Sequence, residues 1–401
     1  MAWIDCLELY KDVMDHLNTS TNQTNPSHSP KWIITTVFNH QKCINSFKNL
    51  NLIVDLLVGN NSPASKLSTT SGRGLIQLAK GEATPQANMV VAQDGSGNFN
   101  TITEAIKASE KQRVGSHRFV IYVKAGIYEE KLVIKQSMTD LMLIGDGIDA
   151  TIITSGKSSI EGLITFNTAT VQVFGSGFVA VGITFENTAG PAKGQAVALL
   201  SASNLSAYYK CSFKGYQDTL CLFQNQQFYR ECDIYGTVDF IFGDAAAVLQ
   251  NCNIYIRTPL PGQENTITAQ GRIDPASNTG FVIENSRVAP APDTTLTAGS
   301  VMTFLGRPWR DYARVVYVKC FFDIMIDPAG WLPYKGNSAF EKVYYAEYMN
   351  YGKGAGTAGR VTWPGYHFLT TGEEVEKFSV SRFLFGESWI PQTGVPFNSG
   401  L

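Results

Sequence analysis

The stretch from residue 210 to residue 254 reads KCSFKGYQDTLCLFQNQQFYRECDIYGTVDFIFGDAAAVLQNCNI and contains one short pattern three times. Each copy is a polar residue, a cysteine, a second polar residue and a large apolar residue, with the cysteines at Cys211, Cys232 and Cys252. The spacings of 21 and 20 residues are typical of solenoid proteins. Short β-rich runs between Gly and Asn turns, without the Leu-x-x-Leu-x-Leu pattern of leucine-rich repeats, predict an all-β fold, a right-handed parallel β-helix.

The chain before the repeats has a different character. Large apolar residues fall at helical spacing in Trp3–Leu17 and again in Ile33–Val58, which predicts two amphipathic helices. A polar stretch over residues 59–74 follows, and short runs of β-branched and aromatic residues begin near residue 87. We therefore expect a short α-helical region with its linker over residues 1–74 and a β-helix domain over residues 85–401.

Composition excludes several classes of protein. The 401 residues are 44% hydrophobic and 16% charged, which favours a folded chain with a large core. Thirty-two basic and 34 acidic residues give a net charge of −2, so we expect no nucleic-acid partner. No apolar stretch approaches the roughly 20 residues that cross a bilayer, and the N-terminus lacks the pattern of a signal peptide. We expect neither a membrane partner nor a signal peptide in the chain as given.

The cysteines and glycosylation motifs give weaker indications. Seven cysteines, with no Cys-x-x-Cys and no nearby histidines, argue against a zinc site. The three repeat cysteines predict a buried cysteine ladder, because free cysteine packs as a small apolar side chain. Four Asn-x-Ser/Thr motifs are compatible with a secreted glycoprotein, and they lie at Asn18, Asn22, Asn60 and Asn204.

Two acidic residues share the register of the cysteines. Asp218 lies seven residues after Cys211, and Asp239 lies seven residues after Cys232. On a parallel β-helix the two carboxyl groups must stack on one face, so one should have a raised pKa while the other stays ionised. This division suits a general acid and a nucleophile, although a structural ladder of aspartates remains the alternative.

Other side chains can converge on the same patch. Gln217 precedes Asp218, and Gln195 comes about one coil earlier, so their amides could donate to an oxyanion. The guanidinium of Arg307 could orient an ionised carboxylate. Trp309 and Trp331 could form a stacking floor for a sugar ring. Each of these residues also has an ordinary structural interpretation when it is taken alone.

Missing motifs narrow the chemistry further. The chain has no Gly-x-Ser-x-Gly, and its five histidines all lie outside these motifs, so a serine triad has little support. No phosphate-binding loop or dinucleotide fingerprint is present. A hydrolase built from this sequence would use carboxylates.

Five blocks of the sequence, taken together and in order, resemble the signature motifs of the plant-type pectin methylesterases, or pectinesterases. The similarity runs from about residue 88 to residue 401. The blocks are Gly126–Glu130, Gln195–Leu199, Gln217–Leu220, Gly236–Gly243 and Leu305–Trp309.

The resemblance implies an extracellular enzyme of the cell wall that hydrolyses the C6 methyl esters of homogalacturonan without a metal or other cofactor. By motif, Asp239 would be the nucleophile and Asp218 the general acid and base, Gln195 and Gln217 would donate to the oxyanion, and Arg307 would orient Asp239. The expected partners are methylesterified homogalacturonan and a proteinaceous pectin methylesterase inhibitor, and we expect a monomer. The implied substrate-binding residues are Thr165, Gln195, Arg307, Trp309 and Trp331.

Three departures from the family pattern stand out. Cys221 occupies a position that is commonly aromatic, which could weaken a contact in the cleft. Residues 1–74 are shorter than the inhibitor-like helical bundle of the family, so they would form a truncated pro-region. Ser286 stands where the resemblance implies the disulfide partner of Cys252.

Two other functions are compatible with the same fold. A catalytically silent homologue could bind pectin or regulate other proteins. Another pectin-degrading β-helix enzyme, a polygalacturonase or pectate lyase, has less support, because the sequence shows neither carboxylates placed across a glycosidic bond nor an acidic calcium cluster.

Overall fold

The computed structural model describes residues 86–112, 117–294, 300–323, 325–334 and 340–401. The two helices and the pro-region predicted within residues 1–74 lie outside these residues. The domain boundary near residue 85 therefore stays a prediction.

Successive turns of the described chain build three parallel sheets of 11, 8 and 7 strands, and the predicted right-handed parallel β-helix is confirmed. Strands are numbered in chain order. In the described ranges the first sheet consists of β1 Met89–Val91, β2 Phe119–Val123, β5 Leu141–Gly145, β8 Val179–Val181, β11 Ser206–Tyr209, β14 Gln226–Arg230, β17 Ala246–Gln250, β20 Gly280–Glu284, β23 Arg314–Val318, β25 Tyr344–Tyr348 and β26 Tyr366–Phe368. The second consists of β3 Gly126–Glu129, β6 Thr151–Ser155, β9 Thr184–Asn187, β12 Ser212–Lys214, β15 Asp233–Gly236, β18 Asn253–Ile256, β21 Arg287–Pro290 and β24 Phe321–Phe322. The third consists of β4 Leu132–Ile134, β7 Val171–Val173, β10 Leu199–Ser201, β13 Leu220–Leu222, β16 Ile241–Gly243, β19 Asn265–Gln270 and β22 Thr303–Gly306.

The corner between the first and second sheets repeats one local conformation. A single residue with a left-handed backbone turns the chain, and the next residue points into the core. The predicted cysteine ladder is confirmed, because Cys211, Cys232 and Cys252 are at most 1% exposed, and Cys320 extends it. The turning residues are Lys210, Glu231, Asn251, Asn285, Lys319 and Met349, with φ between 48° and 57°.

Ser286 occupies the ladder position between Cys252 and Cys320, and its hydroxyl accepts a hydrogen bond from the backbone N–H of Cys252 at 3.0 Å. Since the two side chains are neighbours, we expect oxidised Ser286→Cys to form a disulfide with Cys252 that raises the free energy of unfolding by about 2–4 kcal/mol. Denaturant unfolding with and without a reductant measures the gain. The Cys252→Ser/Ser286→Cys chain is the matched control, and a gain insensitive to reductant would contradict the pairing.

Helices cover one end and one face of the solenoid. Helix α1, Ile102–Gln112, packs its buried side on the N-terminal coil, and the carboxylate of Glu130 accepts the N–H groups of Ile102 and Thr103 at 2.8 Å. The first family-like block thus has a structural part in the fold. Three short helices near the C-terminus pack on the outer face of the first sheet, and they are α2 Gly372–Glu376, α3 Val380–Phe383 and α4 Ile390–Thr393.

Candidate active site

The two predicted acids lie at the corner that leads into the third sheet. Asp218 precedes β13 and Asp239 precedes β16, and Leu220 pairs with Ile241 in register, so the two aspartates occupy the same position on neighbouring coils. Both have left-handed backbones, with φ of 62° and 52°. Such a conformation is uncommon for a residue with a Cβ and is frequent at functional sites. The structure therefore brings the predicted pair together.

Asp239 is held by three donors from two side chains. Arg307, which follows β22, donates from Nε to Oδ1 and from Nη2 to Oδ2, each at 2.7 Å. Thr266 in β19 donates its hydroxyl to Oδ1 at 2.7 Å and accepts the backbone N–H of Asp239 at 2.8 Å. The ring of Tyr334 lies 4.9 Å from the guanidinium carbon of Arg307. This arrangement fixes the position of the carboxylate through charge-assisted hydrogen bonds.

Asp218 has a different environment. It is 8% exposed, and no side chain in the described ranges donates a hydrogen bond to its carboxyl group. Burial and the neighbouring charge of Asp239 raise the pKa of Asp218 well above its usual value, against a smaller opposite effect of Arg307. The two carboxyl groups therefore differ as an acid and a nucleophile must: one has a raised pKa and the other is paired with a cation.

Gln217 lies on the coil of Asp218, and Gln195 lies on the preceding coil. The backbone N–H of Ala196 donates to the carbonyl of Gln217, which joins their segments across neighbouring coils. The hydroxyl of Ser159 donates to Oε1 of Gln195 at 2.6 Å. An amide carries its acceptor and its two donors on different atoms, so this hydrogen bond leaves the NH₂ group of Gln195 unused. Both glutamine side chains are half-buried.

An apolar surface adjoins the acids on the outer face of the third sheet. Trp309 is half-buried there and meets Phe242 edge to face, with ring centroids 6.2 Å apart. Gly271 makes room for it, since a Cβ at this position would lie 2.7 Å from the indole ring. Cys221 belongs to the same surface but is completely buried, so its thiol is not a wall of the cleft in this conformation.

The structure also places two of the predicted substrate contacts, Thr165 and Trp331. Thr165 is half-buried and begins a short 3₁₀ turn next to Phe166, which packs on the outer face of the third sheet. Trp331 requires a correction. Its bridge to Gly306 places it in the core, where it is 1% exposed and stacks on Tyr345 with centroids 4.0 Å apart, so it offers no surface to a sugar.

Sequence reasoning missed three residues that hold the predicted ones. Thr266 lies 27 residues after Asp239, a longer interval than the 20–21-residue repeat, so the period does not point to it. Ser159 and Tyr334 lie in segments without a repeating pattern. Of these three residues, only Thr266 could have been found from the sequence, by aligning the segments that form strands β16 and β19.

Metal binding and membrane insertion have no candidate groups among the described residues. Within those ranges, no group of three or more His, Cys, Asp or Glu side chains is placed to hold a metal ion. None of the helices there is long and apolar enough to cross a bilayer.

Comparison with known proteins gives a consistent result. The family model described as Pectinesterase matches residues 88–387. Pectinesterase 2 of Citrus sinensis is 48% identical over 427 aligned residues, which cover 100% of this chain and 82% of the relative. Probable pectinesterase/pectinesterase inhibitor 17 of Arabidopsis thaliana is 49% identical over 428 residues, which cover 100% of this chain and 81% of the relative.

Solved structures of pectin methylesterases are also similar to this chain. The pectin methylesterase from carrot is 47% identical, with a TM-score of 0.77 over 80% of this chain and 99% of that one. A pectin methylesterase in complex with a hexasaccharide is 26% identical, with a TM-score of 0.63 over 80% of this chain and 100% of that one.

Proposed function

Since this chain belongs to the pectinesterase family and catalyses the demethylesterification of pectin, we propose that it works through an acyl-enzyme on Asp239, with Asp218 as general acid and base. The observation that carries this mechanism is the contrast between the two stacked acids. Asp239 accepts two hydrogen bonds from Arg307, while burial and its neighbour raise the pKa of Asp218.

Acylation forms one bond and breaks another. A carboxylate oxygen of Asp239 attacks the carbonyl carbon of the methyl ester, and the negative charge moves to the carbonyl oxygen. The amide groups of Gln195 and Gln217 donate to this oxyanion. When the intermediate collapses, the bond to the methoxy oxygen breaks and Asp218 gives its proton to that oxygen, so methanol leaves.

Deacylation reverses the part played by Asp218. Its carboxylate takes a proton from water, and the resulting hydroxide attacks the galacturonyl carbonyl of the mixed anhydride. The bond to Asp239 breaks with the electron pair going to the carboxylate. Galacturonic acid leaves and loses its proton to solvent, and Asp218 is protonated again for the next cycle.

We also propose a location, an oligomeric state and partners for the enzyme. We place it outside the cell, acting as a monomer on methylesterified homogalacturonan in the wall. The names of the Arabidopsis relatives join pectinesterase with pectinesterase inhibitor, and we propose that the truncated pro-region is the corresponding segment here. A separate inhibitor protein is the second partner that we propose.

Partitioning of a common intermediate tests the mechanism. Methyl and ethyl esters of the same oligogalacturonide are each hydrolysed in the presence of hydroxylamine. An acyl-enzyme is the same species for both esters, so we expect the same ratio of hydroxamate to carboxylate although the two alcohols leave at different rates.

Two control measurements accompany this experiment. The reaction without enzyme gives the background of direct aminolysis. Reducing ends and unsaturated ends are counted in parallel, since an increase in either would indicate chain cleavage instead of ester hydrolysis. A product ratio that changes with the alcohol would exclude the shared acyl-enzyme.

A further inference from the structure

Thr266 contacts the proposed nucleophile, Asp239, but has no part in the steps above. It is completely buried in β19. One hydroxyl group makes two contacts with one residue: it accepts the backbone N–H of Asp239 at 2.8 Å and donates to Oδ1 of the same aspartate at 2.7 Å. The hydroxyl thus connects the main chain of the nucleophile to its own carboxylate.

The two carboxylate oxygens of Asp239 differ in the number of hydrogen bonds that they accept. Among the described residues, Oδ1 accepts from Arg307 Nε and from Thr266 Oγ1, whereas Oδ2 accepts from Arg307 Nη2 alone. A carboxylate oxygen accepts about two hydrogen bonds through its lone pairs. Oδ1 is therefore occupied, and Oδ2 keeps a lone pair with which it can attack a carbonyl carbon.

Backbone pairing keeps Thr266 in this place. Ile241 pairs with Thr268 between β16 and β19, so Asp239 and Thr266 occupy equivalent positions on neighbouring coils. The N–H of Thr266 donates to the carbonyl of Thr237 at 3.1 Å, and the N–H of Phe240 donates to the carbonyl of Thr266 at 3.4 Å. The hydroxyl is thus built into the coil that supports the nucleophile.

We infer that Thr266 is a positioning residue for ester hydrolysis: it holds the carboxylate of Asp239 in one rotamer with Oδ2 directed at the substrate. Arg307 alone grips the carboxylate along one edge, and the hydroxyl adds a contact from the neighbouring coil. The inference rests on the proposed function of Asp239 as nucleophile.

The test compares Thr266→Val with Thr266→Ser in the full chain, using methanol release from methylated pectin. Valine keeps the shape and removes the hydroxyl. We expect Thr266→Val to lower kcat by about 10- to 100-fold with KM within about twofold, because only the orientation of the attacking group changes. Thr266→Ser should recover most of kcat, since it restores both hydrogen bonds.

Thr268→Val is the matched control. Thr268 is equally buried in the same strand, and its hydroxyl donates to the carbonyl of Leu305 at 2.9 Å and not to Asp239. This variant should lose comparable stability with kcat near that of the wild type. Thermal unfolding and circular dichroism give the folded fraction of every variant, and Thr266→Ala replaces Thr266→Val if the latter does not fold.

Three results would overturn the inference: a loss in kcat below about fivefold for Thr266→Val, a loss no larger than that of Thr268→Val, or no recovery in Thr266→Ser. Asp239→Ala is assayed beside them. An active Asp239→Ala enzyme would refute the proposed nucleophile itself, whereas an inactive one beside a fully active Thr266→Val would refute only the positioning function.

Discussion

Replacing Asp239 with Asn is expected to reduce kcat for methanol release by a factor of about 10⁴ or more, the scale on which removal of a nucleophile acts. The amide has nearly the same shape as the carboxylate but lacks its charge and nucleophilicity. It also loses one of the two acceptors for Arg307. The measurement is methanol released per folded enzyme molecule at saturating pectin.

Two controls make this result interpretable. Asp239→Ala is needed because an asparagine can deamidate and regenerate the enzyme. Asp233→Asn tests whether an amide on the same coil is harmful in itself, since Asp233 lies in the second sheet and pairs with Asn253. A wild-type rate in Asp239→Ala would disprove the acyl-enzyme mechanism.

Replacing Asp218 with Asn should reduce activity and increase stability at the same time. We expect kcat to fall by about 10²- to 10⁴-fold, because the amide cannot protonate the leaving methanol. Burial and the charge of Asp239 raise the pKa of Asp218 in the folded protein, so the folded state binds this proton more tightly than the unfolded state. Stability is therefore lost as the pH rises from about 4, the unfolded value, through the folded-state pKa.

Asparagine has no charge to lose, so it avoids this cost. At pH 7 we expect Asp218→Asn to unfold with a free energy about 1–2 kcal/mol higher than the wild type, a gain typical of relieving a strained functional site. Below about pH 4 the two proteins should be equally stable. Urea unfolding at both pH values measures the difference, and equal stability at pH 7 would show that Asp218 carries no such cost.

The repeat explains why the sequence predicted so much of this molecule. One period aligns Cys211 with Cys232 and Asp218 with Asp239, so an inference about the core also placed the acids. Arg307 is far from them in sequence, and only its motif indicated its contact with Asp239. The family membership then decides for an esterase over the lyases and glycosidases of similar fold.

The failures have physical causes too. The family motif implies that Trp331 lines a sugar subsite, but the pairing of Trp331 with Gly306 directs its side chain into the core. The repeat did not predict a contact of Thr266 with Asp239, because the coil between these two residues is longer than the repeat of 20–21 residues. The helices predicted before residue 74 and the inhibitor-like pro-region stay predictions.

Because the two acids stack on successive coils, the surrounding loops can change independently of the distance between the acids. The interval between Asp218 and Asp239 follows from the main-chain hydrogen bonds between coils, which keep neighbouring strands about 4.8 Å apart whatever the surrounding loops contain. Loops on either side can lengthen or shorten without moving one acid relative to the other, as the longer coil before Thr266 illustrates. Those loops can therefore change in length and sequence while the distance between the two carboxyl groups stays constant.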